Sequence, residues 1–246
     1  MPDGVSAVGE IPCPEGYTRV AAEKSDFAAY LRLLPFKEEN VVLLYNGEKK
    51  GNQNANYAVI KMDVGKKDLQ QCADAVMRLR AEYLYEQKRY SEIAFCFTSG
   101  DTARFSKYIE GYRSKVSGNN VSWVKTGTEG NTYEQFRNYL DMVFMYAGTA
   151  SLEKELKVVE SLGEILPGDV FIKGGSPGHA VIVADVAVNA EGKKVFMLAQ
   201  SYMPAQEIHV LVNPTDETLS PWYVAENNGR LITPEWDFSY KALKRF

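Results

Sequence analysis

Two residue types in this chain can do nucleophilic or acid–base chemistry near neutral pH: three cysteines, Cys13, Cys72 and Cys96, and two histidines, His179 and His209. A thiolate attacks carbonyls, and an imidazole is the side chain best suited to take and return its proton. His179 lies in Pro167-Gly-Asp-Val-Phe-Ile-Lys-Gly-Gly-Ser-Pro-Gly-His-Ala-Val-Ile-Val183. That stretch reads as a short strand (Val170–Ile172), a Gly/Pro-rich turn (Gly174–Gly178) and a second strand opening on His179. A base there is rigidly mounted beside a loop thin enough for a substrate backbone to approach, which makes Gly175 and Ser176 candidate substrate contacts. The plain structural alternative is a strand-edge histidine that is merely hydrogen-bonded. His209, set among apolar residues of Ile208–Val212, reads as structural.

The thiol that could partner His179 is Cys72. Asp68-Leu-Gln-Gln71 reads as an N-cap with an amide at N3, opening a helix whose apolar or small positions run Leu69, Cys72, Ala73, Val76, Leu79 and Tyr83. Cys72 then falls in the first turn on the inward face, where unpaired N–H groups and the helix dipole favour an anion and lower a thiol's pKa. Its structural alternative is a small buried core residue.

A third group must orient the imidazole. A four-residue hairpin loop at 189–192 pairs Val188 with Lys193 and sets His179 opposite residue 202. Gln200, Ser201 and Tyr202 are therefore within reach. Of these, the Gln200 amide oxygen would best accept the imidazole N–H and fix its tautomer, leaving Ser201 and Tyr202 as candidate substrate contacts. Asp185 lies about 20 Å along the strand at the usual rise and cannot serve.

These positions need a scaffold, and 246 residues can bury a sizeable core as one domain. Hydrophobic residues make up 45% and charged residues 24%, as in ordinary globular chains. A net charge of −4 argues against a nucleic-acid or anionic-membrane surface, and no apolar run is long enough for a membrane span. The N-terminus lacks the pattern of a signal peptide. Three cysteines are too few for a disulfide framework; one bridge, between Cys13 and Cys96, stays open. No cysteine pair has metal-ligand spacing and no phosphate loop or cofactor motif is present, so neither metal nor cofactor is expected.

Around the site, a helix is expected over Ser25–Leu34, strands over Val41–Tyr45 and Tyr57–Val64 as neighbours, and a strand over Ile93–Phe97 leading into a helix to about Tyr112. A strand should follow Ser117, and Thr132-Tyr-Glu-Gln135 is a capping box opening a helix to Ala147. Ser151–Val159 reads as a further helix. The tail, with Trp222, Tyr223 and Trp236 among prolines, reads as an aromatic cover.

The order of a Cys at a helix start, a His at a strand start and a polar residue on the partner strand resembles the papain-like superfamily. It resembles especially the bacterial cell-wall cysteine peptidases and amidases of the NlpC and CHAP types. The words that match are Gly168-Asp-Val-Phe-Ile172 and Gly178-His-Ala-Val-Ile-Val183. The resemblance covers about residues 66–85 and 167–203. It implies an α+β fold: a papain-like core with the site's helix on an antiparallel sheet, an N-terminal extension (1–40) and a helical insertion at about 98–165. It also implies Cys72, His179 and Gln200 as catalytic residues and a peptide or peptidoglycan-like substrate. The chain departs from those peptidases in its Gln71-Cys72-Ala73-Asp74 frame, where Asp usually precedes the nucleophile and Ser-Gly follows it. No oxyanion side chain announces itself; Gln53, Asn54 and Asn56 are candidates beside the Cys72 N–H.

Over nearly its whole length the chain is similar to a bacterial domain-of-unknown-function family, numbered 4846. The phrases carrying this are Leu69-Gln-Gln-Cys-Ala-Asp-Ala75, Tyr139-Leu-Asp-Met-Val-Phe-Met-Tyr-Ala-Gly148 and Leu198-Ala-Gln-Ser-Tyr-Met-Pro-Ala-Gln206. That resemblance supplies no activity and leans localisation towards the cell envelope. Two functions follow as expectations: thiol-dependent amide hydrolysis, or a papain-like module that binds peptide or glycan on Trp123, Tyr202, Trp222 and Trp236 without turnover. A catalytic Cys72 should react with iodoacetamide at about pH 6–7 faster than Cys13 or Cys96.

Overall fold

In the computed structural model, residues 4–226 and 229–246 are described. The first half of the chain holds β1 (Tyr17–Arg19), α1 (Phe27–Leu33), β2 (Asn56–Val59), α2 (Cys72–Glu86), β3 (Ala94–Cys96), β4 (Thr102–Arg104) and α3 (Phe105–Ile109). It continues with β5 (Tyr112–Ser117), β6 (Asn120–Lys125), α4 (Tyr133–Tyr146), α5 (Thr149–Glu155) and β7 (Lys157–Val158). The second half is strand apart from one 3-10 turn at Tyr240–Ala242: β8 (Val170–Lys173), β9 (His179–Asn189), β10 (Lys194–Gln200), β11 (His209–Leu211), β12 (Trp222–Val224), β13 (Arg230–Ile232), β14 (Asp237–Ser239) and β15 (Leu243–Arg245) among the described residues.

The main sheet runs β2-β11-β10-β9-β8-β15-β7, with β1 also on β9 and β12 also on β10, all antiparallel. The fold is α+β. β9 is buried on both faces, which explains its nearly unbroken apolar sequence. Ala180 and Ile182 face the core shared with α2, and Val181 and Val183 face a second core with Phe171, Phe196 and Phe238. Ala184 is an extra residue: Leu198 pairs with Val183 while Met197 pairs with Asp185. Past this bulge the alternation is reset, so Val186 joins the second core and Ala187 the first.

α2 packs across β9 with an apolar stripe that includes Val76, Leu79 and Tyr83. Its N-cap is Gln71 rather than Asp68, and the Gln71 N–H donates to Asp74 Oδ2 at 3.0 Å. Asp68 instead accepts from the Ala205 N–H at 2.7 Å, tying the helix entry to the chain beyond β10. The capping box before α4 forms, with the Gln135 N–H on Thr132 Oγ1 and the Thr132 N–H on Gln135 Oε1.

Several expectations fail locally. Val41–Tyr45 makes only isolated bridges, Leu43 with Lys49 and Leu44 with Gln206, and β2 pairs with β11 rather than with its chain neighbour. The insertion at 98–165 is not purely helical, because β4, the β5–β6 hairpin and β7 interrupt it. The Cys13–Cys96 bridge that the sequence left open is not formed, and all three cysteines are free thiols.

Candidate functional site

Cys72, as the first residue of α2, has a backbone N–H without an acceptor inside the helix. Its side chain is 7% exposed. Burial, joined by the nearby Asp74 carboxylate, pushes the thiol up to about 11; the N–H groups of Ala180, Ala73 and Cys72 itself pull the other way and lose. The pKa-lowering effect expected of the helix start is therefore present but outweighed. The sulfur lies against the amide of Ala180, the residue that directly follows His179.

His179, 1% exposed, starts β9 opposite Lys173 across the β8–β9 hairpin. The ring sits among Tyr202, Trp236 and Phe238, at centroid distances of 4.7, 5.4 and 5.9 Å. Burial pulls its pKa down to about 4, against the upward effects of Gln200 and Glu235. Its Nε2 lies 2.9 Å from Gln200 Oε1. Since an amide oxygen only accepts, Nε2 carries the proton and Nδ1 is the basic nitrogen. The thiol and the imidazole are not hydrogen-bonded to each other, but both line one cavity of about 440 Å³.

That cavity is walled by the start of α2, the α4–α5 corner (Phe144, Ala147, Gly148, Thr149), the 175–178 turn, and Tyr202, Met203 and Trp236. The inserted segment thus builds one side of the site. A Cβ at Gly178 would collide with the carbonyls of Gly175 and Lys173 and with the Thr149 hydroxyl, so only glycine lets the turn approach that corner. Two buried polar atoms of lining residues have no partner among the described residues: Asp74 Oδ1 and the Trp236 indole nitrogen. Burial raises Asp74 to about 8. No described cluster of His, Cys, Asp and Glu could hold a metal ion.

Of the residues expected at the site, Gly175, Ser176 and Tyr202 line the cavity with Cys72 and His179, and Gln200 stands behind the imidazole. Ser201 does not face the cavity. It is fully buried, and its hydroxyl reaches the carbonyls of Gln70 and Gln206 at 2.9 and 2.8 Å, because neighbours on a strand point to opposite faces. Gln53, Asn54 and Asn56 lie elsewhere; Gln53 holds backbone of Val42 and Lys50, and Asn56 holds Asn40. Trp222 is a core residue, and Trp123 stacks on Phe97 away from the cavity.

Sequence reasoning missed Lys50, Asp74 and Glu235. Glu235 Oε2 accepts from Gln200 Nε2 at 2.7 Å and from Lys50 Nζ at 2.5 Å. Lys50 Nζ is also 3.3 Å from His209 Nε2. His209 is therefore structural in contact but sits directly behind the site. No local pattern announces Lys50 or Glu235, which lie far apart in the chain; Asp74 reads as an ordinary first-turn acid.

No helix among the described residues is long and apolar enough to cross a membrane. Neither the curated proteins nor the solved structures contain a match to this chain. A family model described as domain of unknown function 4846 matches residues 8–245. The chain belongs to that family.

Proposed function

We propose that this chain is a thiol-dependent amide hydrolase on a papain-like core, in which Cys72 attacks a carbonyl, His179 takes and returns the proton, and Gln200 orients His179. The observation that carries this reading is the 2.9 Å His179–Gln200 hydrogen bond on the wall of a cavity that Cys72 also lines. The bond leaves Nδ1 as the free base, the nitrogen a neighbouring thiol needs. The N–H of Cys72, which has no acceptor inside the helix at the start of α2, suits an oxyanion. The unpartnered Asp74 oxygen and Trp236 N–H are two polar groups on the cavity wall left for a substrate to satisfy. Peptide amides of the cell-wall type are the proposed substrates, on the resemblance to the NlpC and CHAP peptidases.

The chemistry begins from a neutral pair. With the thiol near 11 and the imidazole near 4, proton transfer must accompany attack rather than precede it. The test is release of new amines from a panel of peptidoglycan stem peptides, followed by mass spectrometry. Cys72→Ala and His179→Ala should each lower turnover by roughly 10³-fold or more. Hydrolysis that survives Cys72→Ala refutes the proposal. The buried, protonated thiol favours one rival, a groove that binds peptide without cleaving it. Saturable binding with no amine release, unchanged by Cys72→Ala, would identify that rival.

A further inference from the structure

Behind His179 lies a chain of groups whose donor and acceptor roles are fixed one by one. Lys50 is 5% exposed and its ammonium can only donate. It donates to Glu235 Oε2 at 2.5 Å and faces His209 Nε2 at 3.3 Å, so that ring nitrogen must be an acceptor. His209 Nδ1 then carries the proton and donates to the Glu207 carbonyl at 2.9 Å. The Gln200 amide therefore meets two acceptors on its far side, Glu235 Oε2 at 2.7 Å and His209 Nε2 at 3.5 Å. Only its nitrogen can face them. Its oxygen is left for His179.

We infer that Glu235, held by Lys50, is a positioning residue that sets the Gln200 amide orientation and through it the Nε2–H tautomer of His179. Turning the amide over would set its oxygen against the Glu235 carboxylate and present an N–H to His179 Nε2. The imidazole would then move its proton to Nδ1, the nitrogen the proposed reaction needs free. The same loop places Trp236 against the ring, and the Thr233 hydroxyl anchors it at 2.7 Å from the Trp236 carbonyl. This inference rests on the proposed hydrolase only for its consequence in turnover; the tautomer itself is set by hydrogen bonds.

The test is the imidazole nitrogen spectrum of ¹⁵N-labelled protein, which distinguishes the two tautomers without any substrate. His209→Gln assigns the two rings. The native chain should show His179 as Nε2–H. In Glu235→Ala the far side loses its stronger acceptor while Lys50 favours an oxygen, so an Nδ1–H population of His179 should appear. Glu235→Gln, whose oxygen can still accept from Lys50 and Gln200, should restore the native form. If Glu235→Ala does not fold, Glu235→Met, which fills the same space without an acceptor and keeps Lys50, serves instead. A His179 that stays wholly Nε2–H in the variant lacking the carboxylate overturns the inference. Where turnover is measurable, kcat in the alanine variant should fall by roughly tenfold or more with KM unchanged, as expected for a misplaced imidazole proton. A tautomer shift without any hydrolysis in the native chain would sink the hydrolase and leave the positioning role standing.

Discussion

The protonation state of the Cys72–His179 pair gives the sharpest prediction. Moving the thiol proton to the imidazole must overcome the gap between about 11 and about 4. At about 1.36 kcal/mol per unit that gap is on the order of 10 kcal/mol. A pair of unit charges about 4 Å apart at an effective dielectric of about 20 recovers only about 4 kcal/mol. The neutral pair wins. At pH 7 a thiol near 11 is ionised about one part in 10⁴, against roughly 3% for a free cysteine, a deficit of about 300-fold. Its greater basicity returns about tenfold in nucleophilicity, so Cys72 should react roughly 30-fold more slowly than a thiol of the unfolded chain.

The assay is iodoacetamide labelling from pH 5 to 9, with peptide mass spectrometry separating Cys72 from Cys13 and Cys96. The Cys72 rate should climb about tenfold per pH unit with no plateau below pH 7, and His179→Ala should leave the slope unchanged. This reverses the fast labelling near pH 6–7 that the helix start alone suggests. A rate that is flat between pH 5 and 7, exceeds that of Cys13 and collapses in His179→Ala would mean that a thiolate–imidazolium pair already exists. The burial argument would then be refuted.

Three further outcomes are expected. Asp74 has its folded pKa raised to about 8, so the folded state holds a proton that the unfolded chain releases near 3.8, and its contribution to stability falls as pH rises between them. Asp74→Asn, which keeps an oxygen for the Gln71 N–H, should gain about 2–3 kcal/mol on the native chain between pH 5 and pH 7 in urea melts, and a pH-independent difference would refute the assignment. Asp185 is fully buried between Arg19 at 2.6 Å and Arg32 at 2.8 Å, so Asp185→Ala should cost about 3–5 kcal/mol and loosen the N-terminal segment from β9, seen as lost amide protection at 17–20. Gly178→Ala should lower stability by about 1–3 kcal/mol in the same melts by forcing the turn off the Thr149 corner; an unchanged midpoint would mean that the turn yields freely.

The hairpin that carries His179 was legible because every signal for it is local: apolar runs, a Gly/Pro turn at 174–178, and a second turn at 189–192. α2 and α4 were legible through their periodicity and caps, although the cap of α2 falls on Gln71 because Asp68 is drawn to the Ala205 amide. What was not legible depends on contacts between distant segments. Lys50 sits in a polar loop that reads as solvent-exposed, and only its meeting with Glu235 and His209 explains why it is buried. Asp74 looks like a charge favourable to the helix dipole, while packing around the cavity makes it an acid that resists ionisation.

The register at the site shows how a local error can leave a distant relation intact. The turn after β9 is one residue longer than four, since Val188 pairs with Lys194 rather than Lys193. Left uncorrected, that slip would turn Gln200 away from His179, because a one-residue shift reverses every side chain on a strand. The Ala184 bulge on β9 takes up the extra residue, so that Leu198 meets Val183 and Ala199 meets Ile182 as the four-residue turn requires. Gln200 therefore reaches the imidazole across the sheet, while Ser201 turns to the opposite face and binds the segment entering α2. Gln200, the last residue of β10, and Ser201 just beyond it thus do separate jobs: Gln200 holds the imidazole, and Ser201 holds the chain that delivers Cys72. Deleting Ala184 should keep the strands paired yet break the His179–Gln200 bond, a consequence that ¹⁵N tautomer spectra of the deletion variant would read directly.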